Sequence, residues 1–247
     1  MKQLRAAWRA LRAIGHVLRG LWIIRSEFGR LTPPQTQLVV REWSRQMLTI
    51  LNVELVVEGA PPAHGPLLMV SNHISWLDIM VLNAAHPSRF VSKADVKSWP
   101  LLGSLITGAG TLYIERESRR DAMRVVHHMA ERLRAGDILT VFPEGTTSDG
   151  RTLLPFHANL LQAAIAADVP VLPLALRFVD SIRGGHHDGP LFIGDTTLMA
   201  SLWATLCADG VQARVRYGDP QPPRDRDRRT LARDLQAEVE RLSGPPA

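Results

Sequence analysis

Residues 66–80, PLLMVSNHISWLDIM, carry the strongest structural signal of the chain. The apolar run 67–70 predicts a buried β-strand, and the segment that starts at Trp76 is typical of a helix. The polar residues between them, including His73, are therefore expected in a turn at the carboxyl end of a strand. In open α/β sheets this edge holds ligand and active sites, because the connecting loops diverge there and leave a crevice.

Two interpretations fit the polar residues of this stretch. In the first, Ser75 is the N-cap of the helix and Asp78 reaches back to it, so both have a structural role. That interpretation leaves Asn72 and His73 unexplained, although a histidine at a strand end is often only a hydrogen-bonding group. In the second, His73 in the turn and Asp78 in the first helical turn meet, as a general base and its orienting carboxylate do.

The rest of the chain alternates between strand and helix patterns, which predicts an α/β fold. We expect a mostly parallel or mixed sheet flanked by helices. The expected strands are 53–58, 67–70, 89–92, 110–114, 137–142, 169–178, 191–193 and 211–217. The expected helices after the N-terminal segment are 35–51, 99–107, 118–135, 153–167, 197–207 and 230–242.

Composition narrows the class of protein. The 247 residues are 45% hydrophobic and carry a formal net charge of +5, which fits one sizeable α/β domain and an anionic partner such as a phospholipid surface, a nucleotide-bearing substrate or a nucleic acid. Cys207 is the only cysteine, which excludes a disulfide framework and a cysteine metal site and indicates a reducing compartment. No window holds the ~18 apolar residues of a membrane-spanning helix.

Residues 1–24 predict a basic amphipathic helix. Leu4, Trp8 and Leu11 begin a series of apolar residues at three- and four-residue steps, and basic residues recur at the same steps on what is expected to be the opposite face. Arginines interrupt every turn, which argues against a cleaved signal peptide. We expect residues 1–50 to form an amphipathic helical hairpin in the lipid headgroup layer, followed by the α/β domain, residues 51–247. The alternative is a helix that packs only on its own domain.

Four sequence blocks resemble, in order, those of the glycerolipid acyltransferases related to bacterial 1-acylglycerol-3-phosphate acyltransferase. They are NHISWLD at 72–78, similar to N-H-x-x-x-x-D, then GTLYIER at 110–116, VFPEGTT at 141–147 and VPVLPL at 169–174. The resemblance covers roughly residues 50 to 215. It implies transfer of an acyl group from coenzyme A or acyl carrier protein to a lysolipid hydroxyl, with no cofactor and no metal.

The resemblance also assigns roles to residues. His73 is expected to be the general base on the acceptor hydroxyl, and Asp78 to fix its tautomer. Arg116 is expected to hold an acceptor phosphate through bidentate bonds, although an arginine after a strand is usually a solvated surface residue. The other expected substrate contacts are Asn72, Glu144, Gly145, Thr146 and Thr147.

Two departures from the family pattern concern the acceptor. Thr147 stands where an arginine is common, and His157 stands where a lysine is frequent. We expect lysophosphatidic acid as the leading acceptor, with lyso-ornithine lipid as a close competitor because TTSDG at 146–150 resembles that branch of the family. The expected location is peripheral, on the cytoplasmic face of the inner membrane.

Two alternatives belong to other classes of protein. A basic nucleic-acid-binding protein would account for the charge, but no DNA-binding motif and no RNA-binding aromatic signature is present, so no nucleic-acid partner is expected. A catalytically inactive membrane scaffold would keep the N-terminal helix. It would have no reason to keep His73, Asp78, Arg116 and Glu144 together.

Overall fold

The structure is a computed structural model that describes residues 1–99, 101–114 and 119–244. Within these ranges the chain forms seven strands, and it confirms seven of the eight that the sequence predicts. They are β1 Val53–Glu58, β2 Leu67–Ser71, β3 Arg89–Lys93, β4 Leu112–Ile114, β5 Ile138–Val141, β6 Val171–Asp180 and β7 Val211–Tyr217.

The α-helices lie before, between and after these strands. They are α1 Lys2–Ser26, α2 Pro33–Leu51, α3 Asp78–Ala85, α4 Leu102–Gly108, α5 Arg119–Arg134, α6 Gln162–Ala167, α7 Leu198–Cys207 and α8 Arg228–Ser243.

The strands form one mixed sheet in the order β1-β7-β6-β2-β5-β3-β4. Strand β2 lies at its centre, parallel to β5 on one side and to β6 on the other. Strand β6 is antiparallel to β7, which in turn is parallel to β1. The expected α/β class, with a mostly parallel or mixed sheet between helices, is therefore confirmed.

Both faces of the sheet are covered, which explains the continuous apolar run of β2. Leu67 and Met69 pack in a core with residues of α1, α2, α3 and α7. Leu68 and Val70 point to the other face and pack with residues of α5, α6 and α8. Every residue of β2 is buried, so the polar turn that follows emerges from the centre of the molecule.

The N-terminal segment forms two helices in contact with each other, as expected for a hairpin. Helix α2 begins at Pro33, the position where a proline costs no hydrogen bond, and the amide of Thr32 donates to Gln35 Oε1 at 2.9 Å. None of the helices in the described ranges is both long and apolar enough to cross a membrane.

Helix α1 has a third face in addition to the apolar and basic faces that the sequence predicts. This face of small side chains, with Ala6 and Gly20 buried, packs on the core. A Cβ on Gly20 would lie 2.7 Å from Trp43 Nε1, so only glycine permits this approach. The bulky apolar side chains point outward and are more than half exposed: Leu4, Trp8, Leu11, Ile14, Leu18 and Trp22.

Basic residues of α1 bind the protein itself. Arg9 donates to the carbonyls of Leu206 (2.8 Å) and Ala208 (2.9 Å), at the carboxyl end of α7, and pairs with Asp209 at 3.1 Å. Arg5 pairs with Asp209 at 3.2 Å. These contacts attach α1 to α7 beside the exposed apolar row.

Two predicted elements are wrong. Residues 191–193 form a loop instead of a strand, and the helix predicted at 153–167 shrinks to α6. Backbone donors in the lost part of that helix bond elsewhere: the amide of Phe156 donates to Gln236, and that of His157 to the Pro143 carbonyl. These long-range acceptors compete with the helical ones and explain the difference.

Candidate active site

The carboxyl ends of the neighbouring strands β2 and β5 place the first and third sequence blocks side by side. Asn72, directly after β2, is buried, and its side-chain amide pairs with the backbone of Leu176 in β6. Its Nδ2 donates to the Leu176 carbonyl at 2.9 Å, and its Oδ1 accepts from the Leu176 amide at 2.8 Å. Asn72 therefore anchors the turn to the sheet, and its expected contact with substrate has no support in this geometry.

His73 and Asp78 meet as the second interpretation of the sequence requires. Nδ1 of His73 lies 2.7 Å from Oδ2 of Asp78, which is fully buried. A carboxylate can only accept, so Nδ1 carries the proton that is shared with Asp78 and Nε2 presents its lone pair. Among the described residues none is hydrogen-bonded to Nε2, and the side chain is 20% exposed. This nitrogen is available to take a proton from a substrate.

The same carboxylate also builds the turn. Oδ2 of Asp78 accepts from the amides of Ile74 (2.7 Å) and Ser75 (3.0 Å). Helix α3 begins at Asp78, where a negative charge favours the helix dipole. The capping interpretation is thus right about Asp78 and partly right about Ser75. The Ser75 hydroxyl accepts from the Leu77 amide at 3.2 Å, as a capping group does, and donates its own proton to the Pro190 carbonyl at 2.5 Å, but the N-cap residue of α3 is Leu77.

An aromatic ring fixes the plane of the imidazole. The ring of Phe142, the residue that follows β5, stacks on His73 with centroids 4.0 Å apart and planes at 11°. Phe142 in turn lies 5.9 Å from Phe90 of β3. The carboxylate at one edge and the ring at one face together leave His73 little rotational freedom.

Glu144 holds the backbone of the same turn. Its Oε1 accepts from the His73 amide at 2.6 Å, and its Oε2 accepts from the Leu154 amide at 2.9 Å. Burial raises the pKa of Glu144, and the hydrogen bonds from Leu154 and His73 offset part of that rise. On the other side, the amide and hydroxyl of Ser148 donate to the His73 carbonyl at 2.8 and 3.2 Å. Glu144 of the third block and Ser148, the residue after it, therefore bind the backbone of His73 at its amide and at its carbonyl.

The other predicted residues lie in different surroundings. Gly145 has a φ of +71°, which only glycine adopts without strain, and Thr146 beside it is exposed. Thr147 Oγ1 donates to the carbonyl of Phe192. His157 is exposed. Arg116 lies outside the described residues.

Sequence reasoning missed Ser148, Phe142 and Phe192 as parts of the site. The first two stand inside or next to the third block, so their closeness to Glu144 was a usable signal. Phe192 lies more than a hundred residues from His73, and no motif marks it. Only the fold brings its loop to the turn.

The described residues contain no group of three or more histidine, cysteine or acidic side chains that could hold a metal ion. His186 and His187, which the sequence places next to Asp188, diverge: His187 Nε2 is 3.2 Å from the Asp209 carbonyl. His186 Nε2 lies 3.6 Å from Asp188.

This fold and this site define an α/β enzyme with a carboxylate-held histidine at the carboxyl edge of its sheet. The family model Acyltransferase matches residues 52–177, the part of the chain that carries the site. The chain belongs to the Acyltransferase family.

One relative covers nearly the whole chain, and another covers three quarters of it. A lyso-ornithine lipid O-acyltransferase of Pseudomonas aeruginosa is 37% identical over 97% of this chain and 93% of its own length. A 1-acyl-sn-glycerol-3-phosphate acyltransferase of Neisseria meningitidis serogroup B is 38% identical over 75% of this chain and 72% of its own. The crystal structure of the 1-acyl-sn-glycerophosphate acyltransferase PlsC from Thermotoga maritima matches with a TM-score of 0.72 and 18% identity, covering 97% of this chain and 94% of that one. This last likeness shows the shared fold.

Proposed function

We propose that this enzyme acylates the free hydroxyl of a lysolipid, with lyso-ornithine lipid as its acceptor and a long-chain thioester of coenzyme A or acyl carrier protein as its donor. The observation that carries the proposal is the His73–Asp78 pair at 2.7 Å with Nε2 unbonded within the described ranges. The family and its lysolipid-acylating relatives give the reaction class.

The geometry supports direct transfer. Nε2 of His73 takes the proton of the acceptor hydroxyl while the oxygen of that hydroxyl attacks the thioester carbonyl carbon. The new C–O bond forms, the C–S bond breaks, and the imidazolium returns the proton to the departing sulfur. Asp78 stabilises the imidazolium through Nδ1–H. The hydroxyl of the acceptor is the nucleophile, so no acyl-enzyme intermediate is needed.

Two observations favour lyso-ornithine lipid as the acceptor. Thr147 places a neutral hydroxyl where the family resemblance puts an arginine, so a cation for a phosphate is missing at that position. The lyso-ornithine lipid O-acyltransferase of Pseudomonas aeruginosa also aligns over almost its full length. Lysophosphatidic acid is the second candidate, supported by the Neisseria relative and by Arg116, whose guanidinium suits a phosphate.

The proposed roles of the remaining residues follow from their positions. Asn72 and Glu144 are proposed to position His73, because both are buried and bond to backbone. Gly145 and Thr146 are proposed to lie beside the acceptor, and Arg116 to contact its headgroup.

We also propose that residues 1–50 hold the enzyme on the cytoplasmic face of the inner membrane, where its lipid acceptor and its thioester donor meet. The support is the outward row of apolar side chains on α1, which includes Trp8 and Trp22. Tryptophan and leucine on a surface helix are typical of the boundary between headgroups and acyl chains. Exposed Arg12 and Arg19 on the same helix would meet anionic lipid.

The acceptor assignment is tested by offering both lysolipids to the purified enzyme in one assay with a labelled long-chain thioester. We expect the label mainly in ornithine lipid. A strong preference for lysophosphatidic acid would move the assignment to the second candidate. Failure to acylate either lysolipid with any long-chain donor, on coenzyme A or on carrier protein, would reject the substrate class.

A further inference from the structure

The loop at residues 189–193 is bonded directly to the catalytic turn. The hydroxyl of Ser75 donates to the Pro190 carbonyl at 2.5 Å, and the amide of Phe192 donates to the Ile74 carbonyl at 3.3 Å. Ile74 and Ser75 are the residues whose amides bind Asp78. The loop therefore adds two hydrogen bonds to the turn, beside those that Glu144 and Ser148 make with His73.

Thr147 is bonded to the same loop. Its hydroxyl has one proton, and that proton is donated to the Phe192 carbonyl. Phe192 thus receives a bond from the third block on its carbonyl and gives one to the catalytic turn from its amide. A second anchor lies at Leu191, whose carbonyl accepts from Ser201 of α7 at 2.8 Å.

The segment that carries Thr147 presses closely on the turn. The amide of Ser148 donates to the His73 carbonyl at 2.8 Å. Gly150 has a φ of +71°, and a Cβ there would come within 2.7 Å of Ile74 Cδ1. Residues 148–150 therefore pack directly against the turn, and the hydroxyl of Thr147, the residue before them, binds the loop.

The loop has apolar side chains and no regular structure. Leu191, Phe192 and Ile193 are half-buried, and Leu191 packs against the core, so the loop next to the turn exposes part of an apolar surface. A loop of this kind keeps its position through tethers, since no helix or strand ladder orders its backbone. Removal of a tether is expected to loosen the surface that these side chains form.

We infer that Thr147 is a positioning residue: through the Phe192 carbonyl it holds the 189–193 loop against the catalytic turn, and this loop forms the apolar wall of the acceptor site. The inference rests on the proposed function, because it assigns the acceptor to this side of His73. Thr147, which stands where the family commonly has an arginine, then has a positioning role instead of a phosphate contact. The side chain of Phe192, rather than the hydroxyl of Thr147, then contacts the lysolipid.

The test compares Thr147→Val, which keeps the shape and removes the hydroxyl, with Thr147→Ser, which keeps the hydroxyl. We expect Val to raise the KM for the acceptor about five- to tenfold, the effect of one ordinary hydrogen bond, with kcat and the donor KM nearly unchanged. Ser is expected to restore the wild-type KM. Hydrogen exchange of the 189–193 amides, measured without substrate, should quicken in Val only. Thr152→Val, an exposed threonine nearby, is the matched control.

A double-mutant cycle with Phe192→Ala completes the test, because alanine keeps the carbonyl that Thr147 binds. If Thr147 acts by positioning Phe192, the fold increase in acceptor KM of the double variant is smaller than the product of the fold increases of the two single variants. Independent effects, or a raised KM with unchanged exchange, would overturn the inference in favour of direct contact by Thr147. Faster exchange with an unchanged KM would also overturn it. The two proposals fail in different ways. If the wild-type enzyme acylates neither lysolipid, the proposed function is refuted. If the wild-type enzyme is active and Thr147→Val leaves the acceptor KM and the hydrogen exchange unchanged, only this inference is refuted.

Discussion

At the scale of single residues, one oxygen atom organises the site. Oδ2 of Asp78 lies within hydrogen-bonding distance of the imidazole of His73 and of the amides of Ile74 and Ser75. The five-residue spacing of the motif follows from this, because the histidine must precede the turn and the acid must open the helix. The capping and catalytic interpretations of Asp78 describe two uses of the same carboxylate.

Glu144 gives a pH dependence that can be measured. Its pKa is raised by burial, so the folded protein binds this proton more tightly than the unfolded chain does. The stability it contributes is complete below the unfolded value of about 4.5 and is lost as the pH rises through the folded pKa. Relative to Glu144→Gln, which does not titrate, the wild type should therefore lose unfolding free energy above pH 4.5.

Urea unfolding of both proteins across that pH range checks the expectation. The two proteins are also expected to differ in unfolding free energy at every pH, because glutamine offers one acceptor where the amides of His73 and Leu154 now both donate to the carboxylate. The raised pKa is therefore tested by how this difference in unfolding free energy changes with pH. A difference that does not change with pH would contradict the raised pKa.

At the scale of elements, helix α1 shows why its environment was only partly predictable. The periodicity of residues 1–24 correctly predicts a helix with an outward apolar row. It gives no sign that Ala6 and Gly20 form the face that packs, since small residues score weakly in any apolar pattern. The role of Arg9 was equally hidden, because its acceptors at Leu206 and Ala208 lie about two hundred residues away.

Strands and helices with strong local patterns were predicted, and the errors fall where distant groups bind the backbone. Strand β2 and helix α8 agree closely with expectation. The loop at 191–193 reads as a strand because three apolar residues follow one another, yet its polar backbone groups bond to Ile74, Thr147 and Ser201. The histidine–carboxylate pair was predictable because both members lie in one local motif.

His16 couples the packing of α1 on α2 to pH. Its Nε2 donates to the Trp43 carbonyl at 2.9 Å, Trp43 Nε1 donates to the His16 carbonyl at 3.1 Å, and the rings stack at 4.7 Å. Burial lowers the pKa of His16 below 6.5, and the hydrogen bond to Trp43 opposes the shift. The neutral form is thus favoured in the folded protein.

The sign of the effect follows. A lowered histidine pKa contributes stability that is present above the unfolded value of 6.5 and is lost as the pH falls through the folded pKa. Relative to His16→Gln, which keeps a donor for Trp43 and does not titrate, the wild type should lose unfolding free energy below pH 6.5. Hydrogen exchange of the α1 amides, measured in both proteins, shows whether the lost stability belongs to this helix. The same pH dependence of unfolding free energy in both proteins would show that His16 does not titrate in this range.

At the scale of the whole molecule, the exposed row of α1 gives the membrane hypothesis a direct test. The double variant Trp8→Ser, Trp22→Ser removes exposed side chains that touch little of the protein, being 61% and 63% exposed. Its affinity for vesicles of equal phosphatidylcholine and phosphatidylglycerol should fall at least about tenfold, given the usual free energy of burying large apolar side chains.

The matched control is Met123→Ser on α5, which packs on the other face of the sheet from α1; it removes an apolar side chain that is 74% exposed. This variant should bind vesicles like the wild type. Equal binding by all three proteins would exclude the α1 row as the membrane contact. Helix α1 remains folded in each of them, because the buried face with Ala6 and Gly20 is untouched.

The most direct test of the central claim is the rate of acyl transfer by purified His73→Ala with a long-chain thioester and the lysolipid that the wild type prefers. We expect turnover to fall by about 10²- to 10⁴-fold, the usual contribution of a general base. The variant should stay folded, because the side chain lies at the end of β2, outside the core. Near-normal turnover in a folded His73→Ala protein would contradict the account.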